Sequence, residues 1–301
     1  MKKKAVWIAL CLAAALFLLT ACSDSGSGTE EKSRDTLSSS VKMAVYEGTA
    51  GSVTKNLGSD YKITRYNELL KLEKAVRRGD YDVAVLPTTD ADWLYGKTGK
   101  DLVMLSPTSS GGIYLLSNSY QTASTKMTAF AGKTIYVTGE RSTGAVVFRF
   151  LMQQAGIGTS SYTIKVLDSY EEIEKAINDY GNFAIVEQPY ASRYMKKNSS
   201  VVKLRSLGDL FEEETDLKVP TDCMICSRDF YRDRYDDLPL VMADYQKATE
   251  KAKGRNARAV FYGSSSRGVS LLRRFNKALA GSVTDLYGGA GDTGRLYFTE
   301  K

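Results

Sequence analysis

The sequence predicts an α/β fold of two similar lobes facing each other across a cleft. Three observations predict it. Strand-like runs alternate with helix-spaced apolar residues, one strand-loop-helix corner occurs twice, and a helix-glycine-strand-proline segment also occurs twice, in the same order. At 301 residues, with 43% aliphatic and aromatic side chains, the chain is long enough for two modest cores.

The corner is clearest at Gly132–Gln154. A β-branched run, Thr134-Ile135-Tyr136-Val137-Thr138, breaks at Gly139-Glu140-Arg141 and resumes with Val146, Val147, Phe150 and Leu151 at helical spacing. Ser142 or Thr143 is the natural N-cap of that helix, whose first N–H groups lack internal partners. Such a corner either caps its own helix or offers donors to a ligand. Val41–Tyr46 followed by Glu47-Gly48-Thr49-Ala50-Gly51-Ser52 echoes it. Lys74–Pro87 and Lys175–Pro189 form the second echo, each a helix ending near glycine, a buried strand, and a proline opening the next element.

In chain order, Met1-Lys2-Lys3-Lys4, the apolar run Ala5–Leu18 and Leu19-Thr20-Ala21-Cys22 have the form of a lipoprotein signal, so residues 1–21 are read as removed and Cys22 as lipidated. Loss of Lys2, Lys3 and Lys4 lowers the formal charge from +6 to +3, too mild and too scattered for nucleic acid. Ser23–Ser40 is polar and rich in Ser and Gly, a flexible tether. Strands are expected at 61–66, 82–86, 102–105 and 113–116. Helices are expected at 67–78 and after Pro87, the latter carrying Trp93 and Leu94. Ser106–Gly112 is a loop whose glycines let backbone approach a ligand, and the polar segment 117–124 is where the chain crosses to the second lobe. There, strands at 163–167 and 183–186 alternate with helices at 170–180 and after Pro189, and Val219–Asp222 returns to the first lobe. Leu238–Lys253, 257–262 and 269–279 read as helices, and Arg295–Phe298 carries no assignment.

Beyond Cys11 and Cys22, only Cys223 and Cys226 remain. Their C-x-x-C spacing falls on a strand, where positions three apart point to opposite faces, and the chain has no histidine to complete a zinc site. Two buried thiols are expected, with no metal. The absence of histidine also excludes Ser-His-Asp and Cys-His catalysis.

Four stretches then resemble one family. Gly79–Pro87, the run Gly132–Val137 with Ser142-Thr143-Gly144, Phe183–Ala191 with its Glu187-Gln188-Pro189, and Pro220-Thr221 followed by Leu238–Val241 are similar to segments of the periplasmic-binding-protein-like solute-binding lipoproteins of ABC importers. The similar branch serves nitrate, sulfonate, taurine and thiamine-precursor uptake, and the resemblance spans Val41–Lys253. It implies a type II clamp of two mixed sheets flanked by helices, with two interlobe crossings. Residues 41–118 plus 222–301 would form lobe 1 and 119–221 lobe 2. It implies a monomer that hands a small solute to an ABC permease and its ATPase, held at the membrane by lipid on Cys22, outside the cytoplasm, with no cofactor. A pyrimidine synthase of thiamine biosynthesis shares the resemblance, but its pyridoxal phosphate and histidine chemistry has no support in a chain without histidine, so no enzyme is expected. A surface lipoprotein gating a signalling partner is the alternative.

Ligands of open α/β sheets sit at the carboxyl ends of the strands. That rule selects Tyr46, Glu47, Thr49, Thr88, Thr89, Asp90, Ser109, Ser110, Gly111, Ser142, Thr143, Gly144, Glu187, Tyr190 and Asp222. Arg141 is the one basic residue of these loops, whereas Glu47, Asp90, Glu140, Glu187 and Asp222 are acidic and Tyr46, Trp93, Tyr114 and Tyr190 are aromatic. The balance favours an amine-bearing or heteroaromatic solute over a sulfonate, taurine or nitrate.

Overall fold

The computed structural model describes residues 36–98, 101–118, 126–179, 181–253, 258–263, 266–281, 283 and 296–298. The chain divides into two units, Met1–Arg34 and Asp35–Lys301, and all described residues lie in the second. The expectations for the signal and for Cys22 fall outside the described residues.

Two five-stranded sheets carry the fold. The first has β1 (Val41–Tyr46), β2 (Tyr61–Tyr66), β3 (Val83–Pro87), β4 (Leu102–Pro107) and β10 (Asp222–Ser227), in the order β2-β1-β3-β10-β4. The second has β5 (Ile113–Ser117), β6 (Thr134–Val137), β7 (Thr163–Val166), β8 (Phe183–Glu187) and β9 (Val202–Ser206), in the order β7-β6-β8-β5-β9. The two orders correspond strand for strand. In each, three parallel strands meet an antiparallel fourth, β10 against β3 and β5 against β8. The repeat visible in the sequence is therefore a repeat of topology.

Helices cover the sheets. They are α1 (Thr49–Thr54), α2 (Leu69–Arg77), α3 (Thr88–Lys97), α4 (Thr143–Gln154), α5 (Tyr170–Ile177), α6 (Tyr190–Lys197), α7 (Leu207–Thr215), α8 (Arg228–Asp233), α9 (Leu238–Lys253) and α10 (Ser266–Ala280). The strands β3, β4, β5 and β8 are buried along their whole length, as strands covered on both faces must be. On β10, Cys223 and Ile225 join one core and Met224 and Cys226 another, so the two thiols are buried, free and on opposite faces of the sheet. One core runs from Leu86 and Leu94 of the first lobe through Tyr46 and Tyr170 to Val186 of the second, joining the lobes across their seam.

Three expectations are corrected. The first crossing lies at Thr108–Gly112, not at 117–124, because β5 pairs with β8 and β9 in the second sheet. The boundary at residue 118 therefore assigns β5 to the wrong lobe. The two crossings run side by side: Gly111 N donates to Val219 O at 2.9 Å and Thr221 N to Ser109 O at 3.0 Å, with Ser110 bridged to Pro220. Gly111 and Gly112 adopt φ of +59° and +71°, the left-handed conformation that this turn requires. Residues 258–263 are not helical. Ser110 N donates to Arg258 O and Val260 N to Thr108 O, an extended pairing that Val260, Phe261 and Tyr262 favour over a helix. Leu296–Phe298, without assignment in the sequence, pairs with β4 through Met104.

Candidate functional site

The carboxyl ends of β1, β3, β6 and β8 meet in the seam, where the corners at 46–49 and 138–144 face each other. Ser142 caps α4: its hydroxyl accepts from Ala145 N–H at 3.4 Å and donates to Gly139 O at 2.9 Å. Thr143, fully buried, donates to Thr221 O at 2.7 Å. Gly144 leaves α4 free to approach β8 and β5. A Cβ there would sit 2.8 Å from Ile185 Cγ2 and 3.1 Å from Ile113 Cγ2.

The centre of the seam is acidic and aromatic. Glu187, at the end of β8, is 9% exposed, and Asp222, at the start of β10, is 7% exposed. Burial first, and the Asp222 carboxyl second, push Glu187 up to about 8; the Gly144 N–H and the Tyr170 hydroxyl, both facing the carboxyl, oppose the rise. Burial pushes Asp222 up to about 6, opposed by Ser109, whose hydroxyl donates to Asp222 Oδ2 at 2.6 Å and accepts from Asp222 N–H at 2.9 Å. Among the described residues no Lys or Arg forms a salt bridge with either carboxyl. Tyr170 and Tyr190 stack with ring centroids 3.9 Å apart and planes 14° apart, and Tyr46 lies 6.1 Å from Tyr170. The Tyr46 hydroxyl is buried in the same place, with Thr138 beside it.

The remaining predicted residues divide. Thr49 crosses the seam, its hydroxyl donating to Gln188 O at 3.3 Å, and Glu47 lies over Gly51 with its charge toward Tyr190. Ser110 and Gly111 sit in the paired crossings. Thr88 donates its N–H to Thr221 O, while Thr89 donates its hydroxyl to Arg141 O at 2.5 Å. Asp90 accepts from Arg141 Nε at 3.3 Å, so it faces a guanidinium of this chain. Trp93 lies under the same guanidinium, and Tyr114 accepts from Arg258. Glu140 is about half exposed and lies 3.9 Å from Arg149. Sequence reasoning missed Tyr170 and Glu73. Tyr170 follows the N-cap Ser169 and reads as the first core residue of α5, with no signal marking it for the seam. A separate cavity of about 520 Å³, lined by Arg77, Arg78, Asp82, Arg228, Asp229 and Arg234 among others, lies at the opposite ends of β3, β4 and β10 and shares none of these residues.

Comparison with solved structures identifies the fold as the two-lobed periplasmic-binding-protein-like clamp. An ABC transporter protein from Parabacteroides distasonis is 16% identical, covers 87% of this chain and 100% of its own, and superposes with a TM-score of 0.63. The alkanesulfonate-binding protein SsuA from Xanthomonas axonopodis pv. citri, bound to MOPS, is 11% identical over 87% of this chain and 99% of its own, with a TM-score of 0.65. The aliphatic sulphonate binding protein SsuA of Escherichia coli is 16% identical over 83% and 84%, with a TM-score of 0.55. No curated protein sequence matches. A family model described as menaquinone biosynthesis matches residues 56–285, and the chain belongs to that family.

Proposed function

We propose that this chain is an extracytoplasmic solute-binding protein of an ABC importer, anchored by lipid on Cys22, that captures a small amine-bearing or heteroaromatic solute by closure of its two lobes. It then delivers the solute to a permease driven by its ATPase. The observation that carries the reading is the buried Glu187 and Asp222 pair beside the Tyr170–Tyr190 stack, without a basic partner among the described residues. Two carboxyls out of water are stabilised by a cation placed between them, and flat aromatic faces add stacking with a ring or an ammonium group. A sulfonate or nitrate would meet two acids, and the Gly144 N–H at the start of α4 already faces the Glu187 carboxyl.

The test is a thermal-shift screen of Asp35–Lys301 against amines, pyrimidines, thiamine, aromatic acids, sulfonates and nitrate. A solute present at about 100 times its Kd adds about 2.7 kcal/mol. Amines or heteroaromatics are expected to raise Tm, and sulfonates or nitrate as the sole hits refute the reading of the acids.

The family description favours a second reading, a biosynthetic enzyme. A buried carboxyl with raised proton affinity beside a second carboxyl suits general acid-base work. Mass spectrometry of the recovered solute separates the two: unchanged solute supports capture, altered solute supports turnover. Permease and ATPase genes beside this one support import, whereas a kinase gene there supports sensing.

A further inference from the structure

Arg141 belongs to the second lobe, in the loop between β6 and α4, but among the described residues its side-chain partners belong to the first. Its Nη2 donates to both Glu73 oxygens at 2.6 Å, on α2. Its Nε donates to Asp90 Oδ1 at 3.3 Å, on α3, and its guanidinium carbon lies 3.8 Å from the centre of the Trp93 ring. The backbone joins in, since Arg141 O accepts from Thr89. The side chains of Arg141, Glu73 and Asp90 are 16%, 6% and 0% exposed, so this contact has been taken out of water. Two residues earlier Gly139 admits the Leu69 side chain so closely that a Cβ there would lie 2.7 Å from Leu69 Cδ2.

We propose that Arg141 is a latch that holds the clamp shut without a solute, by seating its guanidinium between Glu73, Asp90 and Trp93 of the opposite lobe. The contact exists only when the lobes are together, because each lobe supplies one half of it. A guanidinium suits the role: its flat face covers an indole while its edge reaches two carboxylates, which a lysine ammonium cannot do together. Removing the cation leaves Glu73 and Asp90 buried beside each other without a countercharge. Opening, which rehydrates both, then becomes the favoured response. The latch shifts the open-closed equilibrium before any solute arrives, so a solute has less of that shift left to supply.

The test uses the compact unit Asp35–Lys301 without added solute, with spin labels on cysteines introduced by Lys62→Cys and Thr163→Cys, exposed positions on β2 and β7. The native Cys223 and Cys226 are buried and stay unlabelled. Pulsed electron–electron double resonance is expected to give one narrow distance in the parent and a shift to longer, broader distances in Arg141→Ala. Arg141→Lys should fall between, and Glu73→Gln, nearly isosteric, should move in the same direction as Arg141→Ala. A broad distribution in the parent overturns the proposal, as does an unchanged one in Arg141→Ala. If Arg141→Ala fails to fold, Glu73→Gln decides: an unchanged distribution there refutes the latch. Because no solute is present, the outcome is independent of which solute the cleft takes.

Discussion

Glu187→Gln replaces a buried carboxyl by an amide of nearly the same shape, and the structure fixes both the sign and the scale of its effect. Glu187 is raised from an ordinary 4.5 to about 8 by burial and by Asp222. Its folded value lies above its unfolded one, so its contribution to stability is whole below about pH 4.5 and is lost as pH rises through about 8. At pH 7 the group is protonated in the fold and ionised in the unfolded chain, a linkage of roughly 3 kcal/mol. Asp222 shares the titration, so the amide recovers about 1 to 3 kcal/mol above neutral pH. At about 2–4 °C per kcal/mol, that corresponds to a rise in Tm of about 2 to 12 °C near pH 8. The assay is thermal unfolding of both proteins from pH 5 to pH 9, without solute. The variant's advantage should be smallest at the acid end and widen with pH. A constant offset, or curves that converge toward pH 9, refutes the reasoning. The same variant should bind an amine solute more weakly, giving up function for stability.

Ser142→Ala removes the cap of α4 and should cost about 1 kcal/mol, read as a lower urea midpoint at unchanged slope; no loss means the cap is dispensable. Gly144→Ala drives a methyl group toward Ile185 and Ile113 and should cost about 1 to 3 kcal/mol in the same assay, whereas a stabilised variant would show that the seam has slack. Cys223 and Cys226, buried and pushed up by burial, should stay silent to a thiol reagent in the folded protein and react together on unfolding; rapid reaction of either would contradict the core assignment.

Much of the fold was legible in the residues. The strand-loop-helix corners, the buried strands before Pro87 and Pro189, and the long helix Leu238–Lys253 follow from spacing and caps that are local in sequence. What escaped was weakly patterned or non-local. Val202–Ser206 mixes Lys203 and Arg205 into a partly exposed edge strand, and Thr49–Thr54 holds a glycine and three β-branched residues in a six-residue helix. β5 reads as a strand, but no residue in it announces which sheet it joins. In the site, the Ser142 cap was readable from neighbours, whereas the meetings of Glu187 with Asp222 and of Arg141 with Glu73 depend on partners 35 and 68 positions away along the chain. The acidic and aromatic residues were identified by type. The geometry then divided them, leaving Glu187 and Asp222 at the centre and tying Asp90 and Trp93 to Arg141.

The exchange of antiparallel strands sets an order of assembly. The second sheet draws all its strands from one continuous stretch, 113–206, and has them all once that stretch has been synthesised. The first sheet stays split between β3 and β4 until β10 fills the gap, more than a hundred residues after β4. The lobe begun first at the ribosome is therefore completed last, and until then the exposed edges of β3 and β4 are the part of a nascent chain with most need of a chaperone.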